Sequence, residues 1–143
     1  MDRGKIMTAF GNLVFAAAPF KTKGRRLLRP SEMQGYPAIF VANIADDYVR
    51  RENQPPRVTM NVAIFLYSDA GTNPNAAPIE ELQRLVDAVE AAIAIRAGTD
   101  LVNNRQTLGG LVHHAWIEGA VDFYPADYEK QSKAIVPVKI LVP

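Results

Sequence analysis

One short stretch concentrates the residues best suited to chemistry. "LVHHAWIEGAV", 111–121, holds both histidines of the chain, His113 and His114, the one tryptophan, Trp116, and the carboxylate Glu118. Adjacent imidazoles beside an acid are the raw material of a zinc site or an acid–base pair. The spacing argues against both. Polar and apolar residues alternate here, which marks a strand, and neighbours on a strand point to opposite faces. His113 and His114 then cannot converge on one ion. The chain has no third histidine, no cysteine and no H-E-x-x-H pattern. The alternation places Leu111, His113, Ala115, Ile117, Gly119 and Val121 on one face, and Val112, His114, Trp116, Glu118 and Ala120 on the other. A tryptophan beside a carboxylate on a half-polar face suits either a protein contact or the cover of a helix in the same subunit. A ligand pocket using His114, Trp116 and Glu118 is the enzymatic alternative.

Three other stretches carry polar chemistry. "TLGG", 107–110, lacks the G-x-x-x-x-G-K-[ST] pattern of a phosphate loop and leads into a strand, so it reads as a tight entry to a hairpin. Five basic residues fall between Lys21 and Arg29. They could touch phosphates, but "RRLLR" within them reads as a short, solvated edge strand. "DDYVRREN", 46–53, sets Asp46, Asp47, Arg50, Arg51 and Glu52 around Tyr48. It offers no apolar pocket to shift a pKa, so a charged loop or a subunit contact is expected there. No catalytic, metal or cofactor constellation emerges, and the expectation is a protein that is not an enzyme.

These residues need elements to position them. Ile6, Phe10, Leu13 and Ala17 recur at helical spacing over 2–18, with Pro19 as the stop. "PAIFVAN", 37–43, reads as a strand, and 44–56, charged and ending in two prolines, as a long loop. In 57–68, Val58, Met60, Val62, Ile64 and Leu66 share one face of the clearest strand. After the turn residues of "DAGTNPNAAP", Pro78 opens a helix over 78–96, with Glu80 and Glu81 in its first turn. Its buried stripe is Ile79, Leu82, Val86, Val89 and Ile93, and Arg96 and Gly98 close it. Residues 110–123 and 132–142 read as a long antiparallel hairpin. Pro137 in its second strand calls for an edge or a bulge. Helix, strands, helix and hairpin in that order predict an α+β fold: a mainly antiparallel sheet flanked by helices, in one domain over 1–143.

Composition sets the frame. The 143 residues carry a formal charge of +1, and 48% are apolar. A core is therefore affordable and bulk-charge binding of nucleic acid is not indicated. The absence of cysteine suits a reducing compartment. The opening "MDRGKIMTAF" has no signal-peptide run, and no apolar stretch approaches a membrane span, so an intracellular protein with no membrane contact is expected.

Beyond residue 30 the chain resembles the tail terminator, or tail completion, proteins of long-tailed bacteriophages. The likeness lies in "QGYPAIFVAN", the charged loop with prolines, "VTMNVAIFLY", the acidic-capped helix, "TLGGLVHHAWIEGAV" and "QSKAIVPVKILV". The resemblance implies a non-enzymatic ring, a hexamer of this chain, that caps the finished tail tube and stops its growth. It implies the tail tube protein and the head–tail connector as partners, DNA passing through the lumen without specific binding, and no cofactor. It places the protein in the virion, at the head-proximal end of the tail, after assembly in the host cytoplasm. Another neck or connector component is the nearest competing role. No family motif fixes contact residues. Tyr48, Arg50 and Arg51 on the charged loop and Trp116 and Glu118 on the half-polar strand face are the candidate interface positions.

Overall fold

A computed structural model of the chain describes residues 1–69, 78–94, 100, 102–124 and 131–143. Two helices, α1 (Arg3–Phe15) and α2 (Pro78–Ile93), accompany six strands: β1 (Thr22–Gly24), β2 (Ala38–Val49), β3 (Arg57–Asp69), β4 (His114–Ile117), β5 (Asp122–Tyr124) and β6 (Gln131–Leu141). They form one mixed sheet in the order β1-β2-β3-β6-β4, with β5 pairing β6 beyond the end of β4. Only the β1–β2 pair is parallel. The fold is α+β, as the element order predicts.

Alternation builds the two sides of the sheet. Val58, Met60, Val62, Ile64 and Leu66 of β3 and Ala134, Val136, Val138 and Ile140 of β6 are buried, on the side that both helices cover. Leu82, Leu85, Val86, Val89 and Ile93 bring α2 onto it, with Ile79 only half-buried. α1 begins one residue after its N-cap, Asp2, whose carboxylate accepts the Lys5 N–H at 3.1 Å. Its buried stripe is Ile6, Met7, Phe10 and Val14, not the expected line through Leu13 and Ala17. The helix stops at Phe15, several residues before Pro19. Neither α1 nor α2 covers the far side of the sheet. A smaller cluster covers one end of it, where Leu28, Met33 and Tyr36 pack on Ala38, Phe40 and Tyr67.

Three further expectations need correction. The edge strand is Thr22–Gly24, and 25–29 has no strand structure. Lys21 and Thr22 donate backbone N–H groups to the Pro37 carbonyl, and the Thr22 hydroxyl donates to Gly35 O and accepts from Gln34 N–H. These bonds hold the chain against β2 before "RRLLR" is reached. The charged loop is also much shorter than 44–56. β2 runs on to Val49 and pairs with β3 down to Arg57, leaving only 50–56 outside the strands. A bulge between Asn43 and Ala45 re-aims β2, and side-chain bonds to Asp46 and Asp47 absorb charges that looked like loop chemistry.

The 110–123 strand is broken. Residues 107–113 turn, β4 covers only His114–Ile117, and β5 resumes at Asp122. Four residues, 118–121, face two of β6 at the break. There Pro137, with no N–H to give, sits opposite Gly119 and accepts the Glu118 N–H at 3.3 Å. The proline is thus on a central strand, and the bulge is what tolerates it. Finally, α2 ends at Ile93; its proposed stop, Arg96 and Gly98, lies outside the described residues, as do most of "DAGTNPNAAP" and of "YPADYEKQS".

Candidate functional site

The outer half of the β2–β3 hairpin is the first candidate. Past the bulge, Asp46 and Tyr48 sit on the helix side of the sheet, because they pair with Met60 and Val58. Arg3, at the start of α1, meets both. Its Nε donates to Asp46 Oδ2 and its Nη2 to the Tyr48 hydroxyl, each at 2.6 Å. The hydrogen bond to Asp46, then the one to Tyr48, holds the Arg3 guanidinium protonated above its ordinary range. On the other side, Asn61 Nδ2 donates to Asp47 Oδ2 at 2.7 Å. The hairpin is therefore clamped at both faces, yet it exposes large apolar groups: Ile44 is 63% exposed, Tyr48 60% and Val49 55%. Arg50 and Arg51 follow, exposed at the tip. The Arg3 clamp bridges 43 positions in sequence, and no local pattern announces it.

Against one flank of this tip lies a groove of about 570 Å³. Val49, Pro56 and Val142 give it apolar walls, and Arg51, Arg57 and His113 give it cationic or titratable ones. His113 is exposed there, and its N–H bonds Leu141 O at 2.9 Å.

The second candidate is the β4 face. His114 and Trp116 stack, with ring centroids 5.0 Å apart and planes at 17°. Gln106 N–H donates to His114 Nδ1 at 3.1 Å. Burial, with the nearby Arg105 charge, holds the His114 pKa below its ordinary value. Trp116 Nε1 donates to Glu118 Oε1 at 3.4 Å, and Lys139 Nζ pairs with Glu118 Oε2 at 3.0 Å. Lys139 first, then Trp116, keeps the Glu118 carboxyl below the usual range. His114, Trp116 and Glu118 do gather on one side, but the imidazole nitrogen nearest the chain is already engaged and the carboxylate is held by a lysine. His113 points elsewhere, into the groove. Among the described residues, no three His, Cys, Asp or Glu side chains lie together to hold a metal ion.

Comparison with known proteins adds fold information. No protein-family profile matches the sequence, and no curated protein matches it significantly. A solved structure does. One chain of a structure titled "Virion of native gene transfer agent (GTA) particle" superposes with a TM-score of 0.50, over 93% of this chain and 83% of that one, at 12% identity. The two share a fold.

Against that fold, the candidate interface residues divide into two groups. Tyr48 projects on the helix side of the hairpin, with Arg50 and Arg51 beyond it. Trp116 and Glu118 lie on the uncovered side, since Trp116 pairs with Lys139 and Lys139 with Asn61. The chain does not bring the groups together. Among the described residues, no helix is long and apolar enough to cross a membrane.

Proposed function

We propose that this chain is a structural, non-enzymatic component of a phage-like virion, and within it the tail terminator. In this reading six copies close a ring on the finished tail tube, stop its polymerisation and present a surface to the head connector. DNA passes through the lumen without specific recognition. The observation that carries the reading is the likeness of fold, over nearly the whole chain, to a chain of a phage-like virion. The resemblance in "QGYPAIFVAN", "VTMNVAIFLY" and "QSKAIVPVKILV" narrows it to the terminator. The hairpin adds physical support. Exposed Ile44, Tyr48 and Val49, rimmed by Arg50 and Arg51, have the make-up of a protein contact, with aromatic and arginine side chains on a rigid support.

Electron microscopy of particles made without this gene tests the proposal. Heads fill normally, while tails grow past their usual length or stay unjoined. Tails of normal length that fail to join heads would assign the chain to another neck component. Tails of normal length already joined to heads would refute both roles.

A further inference from the structure

Charge is distributed unevenly across the helix side of the sheet. At one end, Lys23 and Arg25 stand on the helix side, while the segment that follows, carrying Arg26, Arg29 and Glu32, crosses to the far side, where Leu28 and Met33 pack on Ala38, Phe40 and Tyr67. β1 forms the sheet edge here. Lys23 pairs with Ile39, whose side chain is in the helix-covered core, so Lys23 stands on the helix side. Arg25 reaches Thr8 of α1 at 3.5 Å, so the patch continues along that helix. Glu32 pairs with Arg26 at 3.8 Å and accepts the Arg29 backbone N–H at 3.3 Å. Elsewhere on the helix side, α2 packs over β3, β6, β4 and β5. With Leu82, Val86, Val89 and Ile93 turned inward, its exposed side carries Glu80, Asp87 and Glu90, with Arg84 as the single cation of the helix. Asp122 of β5 is exposed on the neighbouring edge. Among the described residues, Lys21, Lys23, Arg25, Glu80, Asp87 and Glu90 make no ion pair within the chain.

We propose that copies of this chain dock side by side, the basic β1 edge of one copy against the acidic outer side of α2 on the next. The two patches differ and lie on different elements, the β1 edge and the outer side of α2. Their contact is therefore head-to-tail, the type that closes rings. The partner is a second copy because complementary charge is present on two separate surfaces of one chain whose net charge is only +1. Steering by such patches brings copies together in one register and sets like charges against each other in the inverted one. The proposal rests on the self-assembly part of the ring reading, and not on where the ring binds.

Sedimentation velocity tests it with two double reversals. Lys23→Glu with Arg25→Glu reverses the two charges that the β1 edge presents on the helix side, so carboxylates stand at both contact surfaces. Asp87→Lys with Glu90→Lys makes both surfaces basic, and leaves Glu80 to support the α2 N-terminus. Wild-type protein, concentrated in low-salt buffer, associates, and added salt disperses it, because exposed charges are screened over about 8 Å at physiological ionic strength. Each variant alone associates at least about tenfold more weakly, since like charges now meet. An equimolar mixture of the two associates again, each acidic surface meeting a basic one. Circular dichroism confirms that both variants are folded. A wild type that stays monomeric at low salt, a variant that associates as wild type does, or a mixture that stays dispersed overturns the proposal. Failure of the terminator role would show in tail length, and failure of this contact shows in the mixing experiment.

Discussion

The ring of His114 lies between Trp116 and the Gln106 backbone, half-buried, with Nδ1 taken by an N–H donor. A proton is less welcome there than in the unfolded chain, where the ring titrates near its ordinary 6.5. As pH falls toward and below that value, the native state therefore binds fewer protons than the unfolded chain does. The stability that the neutral ring contributes is complete above about pH 6.5 and is lost as pH falls through the lower native pKa. His114→Gln removes the titration and keeps an acceptor. The urea midpoint of the wild type should fall more steeply on acidification through this range than that of the variant. Parallel curves would show that His114 does not carry the dependence. Gly119 makes a second residue-scale case. Its φ is +112°, and a Cβ there would meet Pro137 Cγ at 3.2 Å. Gly119→Ala should cost about 1–3 kcal/mol in urea unfolding, through backbone strain and the proline contact together. An unchanged midpoint would mean that the 118–121 break relaxes freely.

At the scale of elements, the buried stripes were legible where periodicity was strong. β3 reads directly from Val58, Met60, Val62, Ile64 and Leu66, and α2 from Leu82 to Ile93, because a single run of alternation or helical spacing reports burial without reference to any other part of the chain. What failed needed distant partners. Asp46 and Asp47 look like loop residues until Arg3 and Asn61 are beside them. β2 becomes twice the length of a typical strand only because β3 pairs along all of it. β4 is short because Gly119 and the missing N–H of Pro137 break the ladder. The candidate interface suffered for the same reason: single residues such as Trp116 were identifiable, but which side of the sheet they occupy depends on register. The helix stripe of α1 gives an element-scale test. Phe10 is fully buried between helix and sheet, so Phe10→Ala should cost about 3–5 kcal/mol in urea unfolding. A loss below about 1 kcal/mol would show that α1 is not an integral layer of the core.

For the whole molecule, the shortened loop changes what assembly has to do. If 44–56 were one free loop, ordering it on assembly would carry a large entropic cost. With Asp46 and Tyr48 clamped by Arg3 and Asp47 bonded by Asn61, the arm is already built, and only 50–56 remains outside the strands. Preorganisation of that kind lowers the cost of docking and lets the exposed Ile44, Tyr48 and Val49 contribute area at once. It also narrows where a protease can act. Trypsin should cut the free subunit at Arg50 or Arg51, at the exposed tip, and should leave Arg3 and the body of β3 intact until global unfolding. In assembled particles the same bonds should be protected if the hairpin lies in a contact. Arg3→Ala releases the clamp on one face, so the free variant should be cut faster than wild type, while assembled protein retains protection only if the contact itself holds the arm. Mass spectrometry of the fragments reads both comparisons. Cleavage at Arg50 and Arg51 at equal rates in free and assembled protein would place the hairpin tip outside every interface of the particle.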